Sequence, residues 1–147
     1  MVEGRIIGID LGLKRVGVSV SDETKTLASP LAVLPYEGPE KLAQEIIALA
    51  RQHGASGFVV GLPKNMDGTL GPAGKRARRF AGLLERLSGM PVFLCDERLT
   101  TSQAEKEMIA LGKSRRRRKE TIDGAAAVLI LENFLGTMRK RTLHEEG

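Results

Sequence analysis

The opening part of the chain alternates short apolar runs with turns, a pattern that predicts β-strands. Arg5 to Ile9 is an isoleucine-rich run of the kind that forms a buried central strand. Val16 to Ser21 alternates apolar with small or polar residues, which is the period of a half-buried strand. The link between them, Leu11 to Arg15, is short and contains glycine, so the two strands are predicted to form a hairpin. A third strand is predicted at Leu31 to Leu34, between two prolines.

Beyond the third strand the apolar spacing becomes helical, and helices alternate with strands. A first helix is predicted from Pro39, because proline is favoured at the first helical position, to a stop at Gly54. Phe58 to Val60 predicts a buried strand between two glycines. A second helix is predicted to start at Pro72 and stop at Gly89, before a last strand at Val92 to Cys95. The inward-facing positions of the second helix are predicted to be Ala77, Phe80, Ala81, Leu84 and Leu87.

The remainder of the chain is predicted to be helical around a basic loop. Ser102 to Glu105 fits a capping box for a third helix that stops at Gly112. Lys113 to Lys119 is a basic loop, and the last helix runs from about Thr121 to Met138. Residues 139–147 form a charged C-terminal tail, so residues 1–138 are expected to be one domain.

This order of elements predicts an α/β fold. Helices between the later strands act as crossovers, so that part of the sheet should be parallel, whereas the opening hairpin is antiparallel. The expected architecture is a mixed five-stranded sheet with helices on both faces, which is the outline of the ribonuclease H-like fold.

Three acidic positions stand where these apolar elements end. Asp10 ends the first strand, the Asp96-Glu97 pair ends the last strand, and Asp123 lies in the apolar pattern of the last helix. A carboxylate at the edge of a core is costly unless something pairs with it, and carboxylates that meet raise one another's pKa. A divalent metal ion removes that conflict, so these acids predict a magnesium or manganese site that acts on phosphates.

Periodicity indicates which acids share a site. Strand alternation places Gly8 and Asp10 on the face opposite Ile7 and Ile9. Helical spacing places Asp123 on the apolar face that carries Ala126, Ala127 and Ile130. Adjacent acids in a strand point to opposite sides, so only one of the pair can join them. Glu97 is predicted as the ligand, with Asp96 as the alternative. Asp10, Glu97 and Asp123 then suit two-metal phosphodiester hydrolysis.

Composition favours an anionic partner. The 147 residues carry 23 Lys+Arg against 18 Asp+Glu, a formal net charge of +5. The candidate nucleic-acid contacts are basic residues near the acids: Lys14, Arg15, Lys64, Lys75, Arg98, Arg115, Arg116, Arg117 and Arg118. Aromatic residues make up 3% of the chain and fall mostly at core positions, so contacts should be to the backbone of the nucleic acid rather than to stacked bases.

The composition disfavours disulfide-bonded, zinc-binding and membrane-spanning proteins. With one cysteine the chain forms no internal disulfide, and Cys95 in its apolar run is predicted to be a small core residue. Two histidines without a Cys/His cluster make a zinc site unexpected. There is no run of about 20 apolar residues that would span a membrane and no signal-peptide pattern, so a cytoplasmic protein is expected.

Seven segments, taken in order, resemble the YqgF/RuvX family. That resemblance covers about Arg5 to Leu135 and implies a ribonuclease H-like fold, a cytoplasmic metal-dependent nuclease, and a role in trimming the 5′ end of pre-16S rRNA. The family is described both as Holliday junction resolvases and as pre-16S rRNA nucleases. By position, its acidic residues fall on Asp10, the Asp96-Glu97 pair and Asp123. The segments are Gly8-Ile9-Asp10-Leu11-Gly12, Lys14-Arg15-Val16-Gly17-Val18, Ser21-Asp22, Gly61-Leu62-Pro63, Asp67-Gly68, Asp96-Glu97-Arg98-Leu99-Thr100-Thr101 and Asp123-Gly124-Ala125-Ala126-Ala127.

Four functions remain open on the sequence alone. The first is an endonuclease that acts on structured RNA, with pre-ribosomal particles as partners. The second keeps the chemistry but cuts four-way DNA junctions, for which a homodimer would match the two-fold substrate better than a monomer. The third is a non-catalytic nucleic-acid-binding or ribosome-binding module. The fourth is an ATP-handling protein, since Gly8 to Gly12 resembles a phosphate loop of sugar kinases and actin-like ATPases; those proteins use two such lobes, and this chain has room for one.

Overall fold

The computed structural model of the chain describes residues 4–96 and 124–138. The third helix, the basic loop and the charged tail that the sequence predicts lie outside these residues. Residues 124–138 are helical and are called the C-terminal helix below. The other elements are β1 Arg5–Leu11, β2 Arg15–Ser21, β3 Ala28–Pro35, α1 Pro39–Gln52, β4 Ala55–Leu62, α2 Pro72–Ser88 and β5 Val92–Asp96.

The five strands form one mixed sheet in the order β3-β2-β1-β4-β5. The β1–β2 and β2–β3 pairs are antiparallel, and the β1–β4 and β4–β5 pairs are parallel. The predicted mixed sheet is therefore confirmed. The parallel half follows from the crossovers, because α1 leads from β3 to β4 and α2 leads from β4 to β5.

The strand β3 is longer than the sequence pattern indicates. It begins at Ala28 rather than Leu31, and its pairing with β2 shifts register between Val18 and Ser19. Val18 pairs with Ala32 and Ser19 with Pro30, so Leu31 is an extra residue that bulges out of the ladder. A bulge reverses the alternation of sides along a strand, so the pattern of Leu31 to Leu34 does not continue in phase toward Ala28.

The sheet buries one hydrophobic cluster on each face. Ile7 and Ile9 of β1 join the larger cluster beneath α1 and α2. Ile6, on the other face, packs with Ile130 and Leu131 of the C-terminal helix. Helices therefore cover both faces, as predicted, and successive residues of β1 point to different helical layers.

The helix α2 begins and ends as the sequence predicts, with one misplaced side chain. Pro72 occupies the start, and Gly89 after its end has φ 70°, a left-handed conformation that glycine adopts without strain. Four of the five predicted inward residues are buried, but Leu87 is 46% exposed, so its prediction was wrong. Leu87 lies seven residues after Phe80, and an α-helix rotates by about 20° over that interval, which turns Leu87 off the edge of the buried face.

Candidate functional site

Asp10 lies next to the last residue of β1, a central strand that is flanked by β2 and β4. It pairs with Gly17 of β2, and its side chain is half-buried. The strands β1, β4 and β5 are parallel, so their carboxyl ends meet at one edge of the sheet. Asp96, the last residue of β5, is at the same edge. The ends of β1 and β5, which carry Asp10 and Asp96, therefore lie at the same edge of the sheet, with β4 between them.

The C-terminal helix rests directly on β1 two residues before Asp10. A Cβ atom placed on Gly8 would lie 2.9 Å from Leu131 Cβ and 3.0 Å from the Ala127 carbonyl oxygen. Ser19, which pairs with Gly8 across the hairpin and is fully buried, donates a hydrogen bond from its Oγ to that same carbonyl at 2.8 Å. Because Gly8 has no side chain, the helix backbone can approach the strand that carries Asp10.

Replacing Gly8 with alanine is expected to destabilise the protein by about 1–3 kcal/mol. The added Cβ would lie 2.4 Å from Ser19 Oγ and would press on the helix backbone, neither of which can move freely in the core. The matched control is Gly136→Ala in the C-terminal helix, where a Cβ meets no atom within 4 Å and alanine favours the helix. Urea unfolding measures both free energies. A Gly8→Ala protein as stable as the unmodified chain would contradict this packing.

The partners predicted for Asp123 on its helix face are where the sequence places them. Ala126, Ala127 and Ile130 are all buried against the sheet. Asp123 itself, like Glu97, lies outside the described residues, so both remain predictions. Within residues 4–96 and 124–138, no group of three metal-ligating side chains comes together.

Strand pairing separates Asp96 from Asp10. Asp96 is in register with Leu62 of β4, and Cys95 is in register with Gly61. Registered residues of parallel strands point to the same face of the sheet. Leu62 belongs to the cluster beneath α1 and α2, whereas Cys95 is buried with the C-terminal helix, as predicted for a core cysteine. Asp96 is therefore on the face of α2, opposite to the face of Gly8 and Asp10.

Four predicted nucleic-acid contacts lie within the described residues. Lys14 is exposed in the hairpin turn, with the half-buried Arg15 beside it. Lys64 is half-buried in the loop after β4, and Lys75 is exposed in the first turn of α2. The hairpin turn and the start of α2 both adjoin the carboxyl ends of the parallel strands. Arg98 and Arg115 to Arg118 lie outside the described residues.

Arg76 ties α2 to the end of β1, a connection that was not predicted from the sequence. Its Nη1 donates to the Leu11 carbonyl at 3.5 Å, and its Cζ atom lies 4.3 Å from the centre of the Tyr36 ring. The backbone N–H of Tyr36 in turn donates to the Lys14 carbonyl at 2.9 Å. The hairpin turn is held at both ends. The only signal in the sequence was a basic run at the start of α2, which did not distinguish Arg76 from its neighbours.

Two further acids of the segments that carry the family resemblance are turn residues. The Asp22 carboxylate accepts hydrogen bonds from the Thr24 hydroxyl and from the backbone N–H groups of Leu27 and Thr26, which hold its pKa well below the usual range. Asp67 accepts from the N–H and the hydroxyl of Thr69. These hydrogen bonds shape the two loops in which the acids lie.

Comparison with known proteins places this arrangement in a family. The family model described as "RuvX: Holliday junction resolvase" matches residues 4–137. A relative from Pelotomaculum thermopropionicum named "Putative pre-16S rRNA nuclease" is 49% identical over 89% of this chain and 86% of its own length. A relative of the same name from Thermoanaerobacter pseudethanolicus is 41% identical, with 93% of this chain and 99% of its own covered.

A solved structure shares the architecture. RuvC from Thermus thermophilus, in complex with a Holliday junction substrate, superposes with a TM-score of 0.59 at 18% identity, covering 92% of this chain and 96% of its own. This likeness shows the fold, which is ribonuclease H-like as predicted. Among the described residues, no helix is long and apolar enough to cross a membrane.

Proposed function

The chain belongs to the RuvX family, and we propose that it is a nuclease that hydrolyses phosphodiester bonds of nucleic acid with the help of divalent metal ions. The enzyme class, a hydrolase acting on ester bonds, follows from membership of a nuclease family. The observation that carries the proposal is the position of Asp10. Its half-buried carboxylate stands at the carboxyl edge of a central strand, where a helix packs against that strand through Gly8.

Asp10, Glu97 and Asp123 are the residues proposed to hold the metal. Asp10 carries a half-buried carboxylate, and carboxylate oxygens are the ligands that magnesium and manganese prefer. When bound, two such ions supply an activated water and stabilise the leaving oxygen of an in-line displacement. The residues therefore fit the group.

Between the two adjacent acids, the pairing of β5 favours Glu97. Asp96 is on the face of Leu62, so a strand that continued by one residue would turn position 97 to the face of Asp10. On the helix side, Asp123 precedes Ala127 by four residues, which is one helical turn. Ala127 contacts Gly8, so one further turn of that helix would bring position 123 toward Asp10.

The remaining proposed residues bind substrate. Lys14 in the hairpin turn and Arg15 beside it would hold phosphates on one side of the scissile bond. Lys64 in the loop after β4 and Lys75 in the first turn of α2 would hold phosphates on the other side. Arg98 and Arg115 to Arg118 are proposed for the same role. The hairpin turn is fixed in place, because Arg76 holds the Leu11 carbonyl and Tyr36 holds the Lys14 carbonyl.

The substrate proposed first is the 5′ end of pre-16S rRNA, in the cytoplasm. Relatives that align with most of this chain at up to 49% identity bear the name of that activity. A four-way DNA junction is the second candidate, favoured by the description of the matching family. A junction has two-fold symmetry, so this version further proposes a homodimer.

Cleavage in the presence and absence of metal tests the proposal. The substrates are a 5′-extended 16S rRNA fragment and a four-way DNA junction, each incubated with magnesium, manganese or EDTA. Cutting of the RNA with either metal and none in EDTA is the expected result. Cutting of the junction alone would select the resolvase. Binding without metal-dependent cutting of either substrate would overturn the nuclease and leave a non-catalytic binding module.

A further inference from the structure

The solvent-exposed side of α2 is predominantly basic, with four exposed Lys and Arg side chains and one exposed acid, Glu85. Glu85 is the single acid in this helix, and the first turn has none. Like charges one turn apart on a helix repel each other, so this arrangement favours a partner of opposite charge. The surface, called the α2 basic face below, consists of five exposed positions: Lys75, Arg78, Arg79, Gly82 and Arg86.

The charges form a line rather than a scatter. Lys75, Arg79 and Arg86 are separated by four and seven residues, so they lie on one side of the helix. At a rise of about 1.5 Å per residue, the line from Lys75 to Arg86 is about 16 Å long. One strand of a DNA duplex advances about 3.4 Å along the helix axis per phosphate, so the line is about as long as five such axial steps.

Gly82 stands in this line, between Arg79 and Arg86, and no contact among residues 4–96 and 124–138 requires it to be glycine. A Cβ atom at this position would meet no atom within 4 Å. Its backbone is helical and its φ is not in the left-handed region. Glycine destabilises an exposed helix interior relative to alanine. What the missing side chain provides is a gap between two guanidinium groups, through which an external backbone can approach the helix.

The α2 basic face begins beside the candidate site. Arg76, next to Lys75, reaches the Leu11 carbonyl, which immediately follows Asp10. The stacking of its guanidinium on Tyr36 fixes the start of α2 against the hairpin. A nucleic acid lying on the α2 basic face would therefore reach the edge of the sheet where β1 ends, arriving from the side of the sheet opposite to the face of Asp10.

The chemistry of the face identifies the kind of nucleic acid. Phe80, the one aromatic residue of α2, is only 3% exposed, so the face has no platform on which unpaired bases could stack. Basic groups without aromatic partners contact phosphates and respond to the shape of a duplex rather than to base identity. The α2 basic face is therefore expected to bind double-stranded nucleic acid more tightly than a single strand.

Building on the proposed nuclease function, we propose that the α2 basic face is a track for the sugar-phosphate backbone of a double-stranded segment of the substrate. The track leads a nucleic-acid helix to the edge of the sheet at which β1 ends, and Gly82 is the point of closest approach. Binding through it is independent of sequence and sensitive to salt.

Salt dependence of binding tests the charged part of the track. Affinity for a 20-base-pair RNA duplex is measured in EDTA, so that no metal-dependent cleavage interferes, over a series of salt concentrations. Arg79→Ala and Arg86→Ala should each reduce the slope of log affinity against log salt by about 0.9, the effect of one lost phosphate contact. Arg51→Ala, which removes an exposed arginine from α1, is the matched control and should leave the slope unchanged.

Gly82→Ala tests whether the nucleic-acid backbone approaches the helix closely at this position. Duplex binding and thermal stability should change in opposite directions, which a purely structural role of Gly82 would not produce. The variant should melt about 2–4 °C higher, because alanine favours the helix, yet bind the duplex at least threefold more weakly. A higher melting temperature with unchanged binding would overturn the role of Gly82. Unchanged salt slopes in Arg79→Ala and Arg86→Ala would overturn the track.

Two further comparisons complete the test: the binding of a single-stranded against a double-stranded probe, and the activity of the unmodified protein. Equal binding of a single strand and a duplex of the same length would overturn the preference for paired nucleic acid. An unmodified protein that binds the duplex but loses nothing in the variants would refute the track alone. An unmodified protein that neither binds nor cuts nucleic acid would refute the proposed function itself, so the two failures are distinguishable.

Discussion

Asp10→Asn is expected to abolish metal-dependent cleavage while leaving nucleic-acid binding and the fold nearly unchanged. The substitution preserves shape but removes the charge that would hold a cation at the end of β1. Removing a residue that hydrogen-bonds to a metal ligand typically lowers metal affinity or activity by about 10–100-fold. Removing a ligand itself should therefore cost more than about 100-fold. Initial cleavage rates and calorimetric titration with manganese, each compared with the unmodified protein, measure the two losses.

The control for this variant is Asp67→Asn. Asp67 is an exposed acid whose Oδ1 accepts from Thr69 in the loop before α2, a role that an amide oxygen can also fill. It should keep its cleavage rate and its manganese binding. Full cleavage by Asp10→Asn would remove Asp10 from the site, and a large loss in Asp67→Asn would show that the assay responds to general damage.

Glu97→Gln and Asp96→Asn are expected to differ sharply although the residues are neighbours. Asp96 is on the face of α2, and a strand continuing by one residue would place position 97 on the face of Asp10. Glu97→Gln should therefore lose cleavage and manganese binding more than about 100-fold, as for Asp10→Asn. Asp96→Asn should retain cleavage within about tenfold, about the smallest loss seen when a neighbour of a ligand is changed, because its side chain is on the face opposite to Asp10.

The same two assays decide between the adjacent acids. Glu132→Gln, at an exposed position of the C-terminal helix, controls for the loss of a glutamate charge far from the strand ends. The reverse outcome, with Asp96→Asn inactive and Glu97→Gln active, would assign the ligand to Asp96 and would mean that the backbone turns over after β5. Two active variants would exclude both acids from the site.

Much of the fold could be predicted because the relevant signals are local. The two-residue period of β2 and the start and stop residues of α1 and α2 each lie within one segment, and the structure confirms them. The errors occur where a neighbour overrides the local pattern. The bulge at Leu31 hides the first half of β3, and the drift of the helix turns Leu87 into solvent. Both depend on the partner across the contact rather than on the segment itself.

For the candidate site, strand alternation correctly separated Asp10 from Ile7 and Ile9, because neighbouring side chains of a strand must point to opposite faces. The family resemblance and the confirmed ribonuclease H-like fold were also within reach of the sequence. The contribution of Arg76 was not. Its contacts join residues 65 positions apart, and no periodicity encodes which of several adjacent cations reaches a distant carbonyl.

The chain by itself determined the order of strands and helices, the face of β1 on which Asp10 lies, and the family, since these depend on spacing and on ordered motifs. Only the tertiary structure decided that Ser19 and Gly8 receive the backbone of a helix more than a hundred residues away, and that Asp96 faces away from Asp10. The reason is physical. Register and helix docking are set by how two surfaces fit together, and the sequence of either surface alone does not contain that fit.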